Sequence, residues 1–124
     1  MLRADPCLDR TREAARALVG ERIRSMRKIA GGRNSRVFRV ETAGTVYALK
    51  QYPARADDPR DRLGTEAAAL ELMRKHGIDR IPRLLALDRQ RGCALLSWID
   101  GLPMTSVGEA DIEAAAAFLA LLHA

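Results

Sequence analysis

Between Val37 and Gly77 the hydrophobic period changes once, from two to 3.6, and that change limits the folds open to the chain. Val46-Tyr47-Ala48-Leu49-Lys50 alternates as a strand does, so Val46, Ala48, Lys50 and Tyr52 share one face. Leu63 to Leu70 repeats as a helix does, and Leu63, Glu66, Leu70 and Met73 fall on one stripe. Around this pair the strand-like runs come in hairpins. Thr42-Ala43-Gly44 turns Val37–Val40 into Thr45–Tyr52, and Gln90-Arg91-Gly92 turns Leu84–Asp88 into Cys93–Ile99. With Ile23–Ile29 added, the order is helix (9–20), three strands, helix, two strands, helix. Hairpins specify antiparallel pairing, so the expected class is α+β: about five antiparallel strands with one long packed helix and flanking N- and C-terminal helices.

Helix ends are expected where backbone groups need side-chain partners. Asp58 followed by Pro59 reads as the start of the long helix, with Asp61 in its first turn, and Gly77 as its stop. The segment 53–59 reads as a loop. Ser106-Val107-Gly108-Glu109 has the form of a capping box before the last, alanine-rich helix.

At 124 residues the chain has room for one domain, and 48% hydrophobic residues suffice for a core. The net charge of +5 is uneven: residues 1–62 carry +7 and residues 63–124 carry −2. Basic charge attracts anions, but two tyrosines and two phenylalanines are too few for base stacking, so a nucleic-acid platform is not expected. The basic excess reads as a solvated face. Cys7 and Cys93 lie far apart and give no metal spacing or disulfide framework. No apolar run approaches the about 18 residues of a membrane span, and the start lacks a signal peptide's apolar stretch. The expectation is a cytoplasmic protein without membrane partners.

Glu66 sits on an apolar stripe. If that stripe faces the sheet, its carboxylate needs a cation, because burying an unpaired charge is costly. Lys50, on the preceding strand, is the suitable donor. Upstream, Gly31-Gly32 followed by Asn34 and Ser35 makes a turn whose backbone N–H groups can approach a phosphate. A glycine pair in a hairpin is commonplace, and its meaning here comes from its order: turn, strand, lysine strand, helix with an inward glutamate.

From about Arg22 onward the chain resembles the N-terminal lobe of the aminoglycoside phosphotransferase and choline kinase superfamily, relatives of the protein kinases. Ala30-Gly31-Gly32-Arg33-Asn34-Ser35-Arg36-Val37 is similar to the short nucleotide loop, and Tyr47-Ala48-Leu49-Lys50 to the Val-Ala-Ile-Lys strand. Arg62-Leu63-Gly64-Thr65-Glu66 resembles the start of the helix that carries the pairing glutamate. Leu95-Leu96-Ser97-Trp98-Ile99-Asp100-Gly101 resembles the hinge, and Leu119-Ala120-Leu121-Leu122-His123 the end of the first C-lobe helix. Ala30 and Ser35 stand where protein kinases have glycines, which suits the small-molecule branch.

The resemblance implies that ATP is the cofactor, with Lys50 on its α/β-phosphates, Glu66 fixing Lys50, and the Gly32–Ser35 turn over the phosphates. Val37 and Ala48 would contact the base, and the backbone of Ser97, Trp98 and Ile99 would meet adenine. It also divides the chain into a nucleotide-binding lobe, 1–99, and a linker with the start of a C-lobe helix, 100–124. The family's catalytic base lies in a His-x-Asp loop and a later Asp binds Mg²⁺. Neither His76 nor His123 has Asp two residues on, so no catalytic residue and no metal ligand is assigned here. Asp100 reads as a turn carboxylate, and Trp98 and His123 as packing residues.

The chain is thus expected to be the ATP-binding lobe of a small-molecule O-phosphotransferase whose acceptor is a hydroxyl-bearing metabolite, present here as a fragment. The alternative is a non-catalytic module of pseudo-kinase type. In either case the apolar last helix is a candidate for self-association.

Overall fold

The computed structural model describes residues 6–32, 34–53, 60–102 and 104–124. In chain order the elements are α1 (Pro6–Val19), β1 (Ser25–Gly31), β2 (Arg36–Glu41), β3 (Val46–Gln51), α2 (Arg62–Lys75), β4 (Leu84–Asp88), β5 (Cys93–Ser97) and α3 (Glu109–Leu122). The five strands form one antiparallel sheet in the order β1-β2-β3-β5-β4. The chain leaves β3, makes α2, lays down β4 at the edge, and returns by hairpin to place β5 beside β3. The protein is α+β.

Period-two alternation gives the sheet two apolar faces, and a helix covers each. On one face Ala14 and Ala15 of α1 meet Phe38, Val40, Leu49, Cys93 and Leu95, all nearly inaccessible to solvent. On the other, Leu63 and Leu70 of α2 pack on Ala94 and Leu96, with Ala48, Tyr52 and Met73 at the margin. The expectation of a single packed helix is therefore incomplete. The alanines of α1 let its backbone sit close to the sheet, and it supplies the better-buried half of the core. Both edge strands are irregular: a register shift leaves Ile29 of β1 and Leu85 of β4 unpaired, and both side chains are exposed. Such bulges interrupt an edge that would otherwise template further pairing.

Helix boundaries differ from those read off the sequence. Asp58 and Pro59 lie outside the described residues. α2 begins at Arg62, where the Asp61 carboxylate accepts the Gly64 N–H at 2.9 Å. Its far end is the predicted one: Gly77, at φ +77°, donates to Arg74 O, and Ile78 donates to Met73 O at 3.0 Å. That is a Schellman stop, and only glycine takes that φ without strain. Ser106 does not cap α3. The N-cap is Gly108, whose N–H is accepted by the Asp111 carboxylate at 2.8 Å, while Glu109 is already the first helical residue. α3 buries none of its side chains. No helix among the described residues is long and apolar enough to cross a membrane.

Candidate phosphate-binding cleft

β2 and β3 fix the faces of the side chains that matter. Val37 is opposite Lys50, and Arg39 is opposite Ala48; Lys50 in turn faces Ala94 of β5, and Ala48 faces Leu96. Cross-strand partners share a face, so Val37, Ala48 and Lys50 all lie on the side that α2 covers. Leu63 and Leu70 anchor α2 there, and Glu66, between them on the same stripe, is carried over the end of β3.

The two charges meet. Lys50 Nζ lies 3.1 Å from both Glu66 oxygens, donating to Oε1, while Oε2 is buried with no hydrogen-bond partner. Both side chains keep about a quarter of their surface in water, 25% for Lys50 and 29% for Glu66. The Lys50 ammonium also stands 5.2 Å from the Tyr52 ring centre, a cation–π contact made possible by their i, i+2 spacing on one strand face. An ammonium has three donors, so Lys50 can hold Glu66 and still donate to an anion beside it.

Such a place exists. A cleft of about 520 Å³ opens next to the pair, with Asn34 and Ser35 of the β1–β2 turn on one side and Arg60, Arg62 and Thr65 on the other. The turn is closed by a Gly32 N–H donating to Ser35 O at 2.9 Å. Neither Gly31 nor Gly32 has a positive φ, and a Cβ on Gly32 would meet no protein atom within 4 Å. Glycine at 32 is thus not required by the fold; its effect is to leave the turn's backbone open to approach. Gly31 and Gly32 sit at the exposed tip, whereas Asn34 and Ser35 line the cleft itself. Arg33 lies outside the described residues.

In the hinge-like segment the Ser97 N–H donates to Arg83 O at 2.9 Å, and its hydroxyl accepts the Arg83 N–H at 2.8 Å. Trp98 and Ile99 lie beyond the last ladder pair, Tyr47 with Ser97, so no strand partner occupies their backbone groups. The Trp98 indole is held in place by its Nε1–H donating to Asp100 at 3.0 Å, and by the Arg39 guanidinium 5.4 Å from the ring centre. Arg39 is itself tied to Glu41 at 2.8 Å, and that hydrogen bond, with the charge behind it, holds the Glu41 carboxyl below the usual carboxylate range. Asp100, in irregular chain after β5, accepts the indole N–H.

Several cleft residues were not singled out from the sequence. Tyr52 was visible as the next residue on the Lys50 face, but its ring's approach to the ammonium depends on rotamers. Arg60, Arg62 and Thr65 become neighbours of Asn34 only when α2 docks. For a divalent cation the donors do not fit: Asp61 caps α2 and lies 3.7 Å from Arg89, and Glu66 is taken by Lys50. Among the described residues no three metal-ligating side chains converge.

A five-stranded antiparallel sheet with three helices is the architecture of a kinase-like N-lobe. The family model for the phosphotransferase enzyme family (APH) matches residues 25–124, and the chain belongs to that family, the aminoglycoside phosphotransferase and choline kinase superfamily. No curated protein matches the chain.

Proposed function

We propose that this chain binds ATP in the Lys50 cleft as the nucleotide-binding lobe of a small-molecule O-phosphotransferase. The observation that carries the proposal is the Lys50–Glu66 pair at 3.1 Å beside an open cleft walled by the β1–β2 turn. Bound ATP supplies the phosphoryl group that such enzymes transfer to a hydroxyl. Lys50 neutralises α/β-phosphate oxygens, and Glu66 holds the lysine where those oxygens lie. The backbone from Gly32 to Ser35, with the Asn34 and Ser35 side chains, covers the phosphates from above. Val37 and Ala48 offer small apolar surface to the base, and the backbone of Trp98 and Ile99 binds its edge.

Catalysis of this kind is positioning and charge stabilisation, and a general base within reach of the acceptor hydroxyl is one of its parts. The described residues provide neither that base nor a metal site. The chain by itself therefore binds nucleotide without transferring phosphate, and acceptor contacts belong to residues outside the described set. Calorimetric titration of ATP in EDTA tests the reading. Saturable binding that Lys50→Ala weakens at least tenfold, about 1.4 kcal/mol, supports it. Binding that is absent, or indifferent to Lys50, overturns it.

A further inference from the structure

On the sheet face opposite the Lys50 cleft, four arginines surround one depression. Arg12 and Arg16 stand one turn apart on α1, and Arg22 and Arg24 come from the segment that carries the chain from α1 into β1. The depression holds about 420 Å³, within the range of small-ligand sites, and its floor is apolar, made by Ile23 and Met26 where they pack against the core. One acidic residue, Glu21, also lines it.

None of the four arginines makes an ion pair within 4 Å with a described residue, although Glu21 lines the same depression and Arg24 lies near enough to Glu41 to help hold its carboxyl below the usual range. Glu13 lies 3.9 Å from Arg91, and Glu41 is held by Arg39. Arginine stays ionised at every physiological pH, so the group cannot relieve its own repulsion by losing a proton. Like charges at i, i+4, as with Arg12 and Arg16, disfavour the helix that carries them. A concave cluster of four arginines and one carboxylate keeps a net positive charge and is a ready receptor for oxyanions, which guanidinium forks bind through paired N–H groups.

We propose that this depression is a second anion site, for a multiply charged phosphate compound with a small organic body: the forks take the phosphates and Ile23 and Met26 take the body. Because α1 and α2 cover opposite faces, the sheet separates this site from Lys50, and occupancy of one does not require the other. The inference does not rest on the ATP reading.

Tripolyphosphate is the probe, titrated into the full chain carrying Lys50→Ala, so that the cleft cannot account for the signal. The expected result is saturable one-to-one binding that weakens steeply with added salt. Arg12→Gln with Arg16→Gln should lower the affinity at least tenfold, and Arg22→Gln alone should lower it measurably. Arg80→Gln with Arg83→Gln, which removes the same charge from a distant surface, should leave it unchanged. Resonances of the Arg12 and Arg16 side-chain Nε–H groups should shift with the ligand in the unsubstituted chain, a readout independent of whether any variant folds. Non-saturable uptake overturns the proposal, as does equal weakening by the Arg80/Arg83 pair. Tighter binding of a polyaspartate peptide or of anionic lipid vesicles than of tripolyphosphate also overturns it, in favour of a macromolecular partner.

Discussion

Replacing Glu66 by leucine separates what the ion pair does for the fold from what it does for a ligand. At 3.1 Å two unit charges attract by about 1.3 kcal/mol if screened as in water and about 5 kcal/mol at an effective dielectric near 20. Against that stand partial desolvation of both ions and the ordering of two long side chains, which together leave exposed pairs about 0–1 kcal/mol. Glu66 Oε2 is buried without a hydrogen bond, and its charge is met by the Lys50 ammonium 3.1 Å away. Leucine removes both the charge and its desolvation and extends the stripe of Leu63 and Leu70. Glu66→Leu should therefore unfold within about 1 kcal/mol of the parent chain by denaturant titration. Binding should respond differently. Fixing a free lysine costs about 1.5–2 kcal/mol of side-chain entropy, which the pair with Glu66 has already met before ATP arrives. Without Glu66 the ligand must impose that order, and affinity for ATP should fall about tenfold, with Glu66→Gln in between. A Glu66→Leu chain destabilised by more than about 2 kcal/mol, with ATP affinity intact, would show that the pair is a structural tie and refute the reasoning.

Other outcomes follow from other parts of the molecule. Gly77→Ala forces φ +77° on a residue with a Cβ and should cost about 1 kcal/mol, read as an earlier denaturant midpoint with an unchanged slope. Burial of Asp88 opposes its ionisation, but hydrogen bonds from the Arg91 N–H and guanidinium, each at 2.9 Å, outweigh it and hold its pKa below the ordinary carboxylate value. A carboxyl depressed in the folded state contributes stability above its unfolded pKa, near 4, and loses it as pH falls through the lower folded value, so Asp88→Asn should flatten the acid limb of stability below about pH 4. α3 leaves Ile112, Leu119 and Leu121 between 46% and 61% exposed, and each leucine withheld from water contributes roughly 1.5–3 kcal/mol. The chain in isolation should therefore associate with itself, and a strictly monomeric species by sedimentation at high concentration would show that α3 needs no cover.

Period and turn chemistry by themselves determined the strands, the hairpins, the α+β class and the faces of Lys50 and Glu66. These features depend on neighbours two, three or four residues away, and local sterics decide them. The Gly77 stop was legible for the same reason, since one residue type satisfies its backbone angle. Caps were not. Asp58 and Asp61 are chemically equivalent candidates, and at α3 the serine hydroxyl that favours Ser106 was overruled by Gly108, so the choice falls to where each helix leaves the body of the protein. Tertiary packing also set which strand lies beside β3. It made Arg83 the partner of the Ser97 N–H, which no local pattern reveals, and it chose the second sheet face as the place where α1 lays its stripe of Ala15, Leu18 and Val19. The four arginines at 12, 16, 22 and 24 read in sequence as part of a solvated basic half. Only the docking of α1 on the sheet, against β4 and β5, brings them to one depression, because the distance between charges on different elements is fixed by the core beneath them.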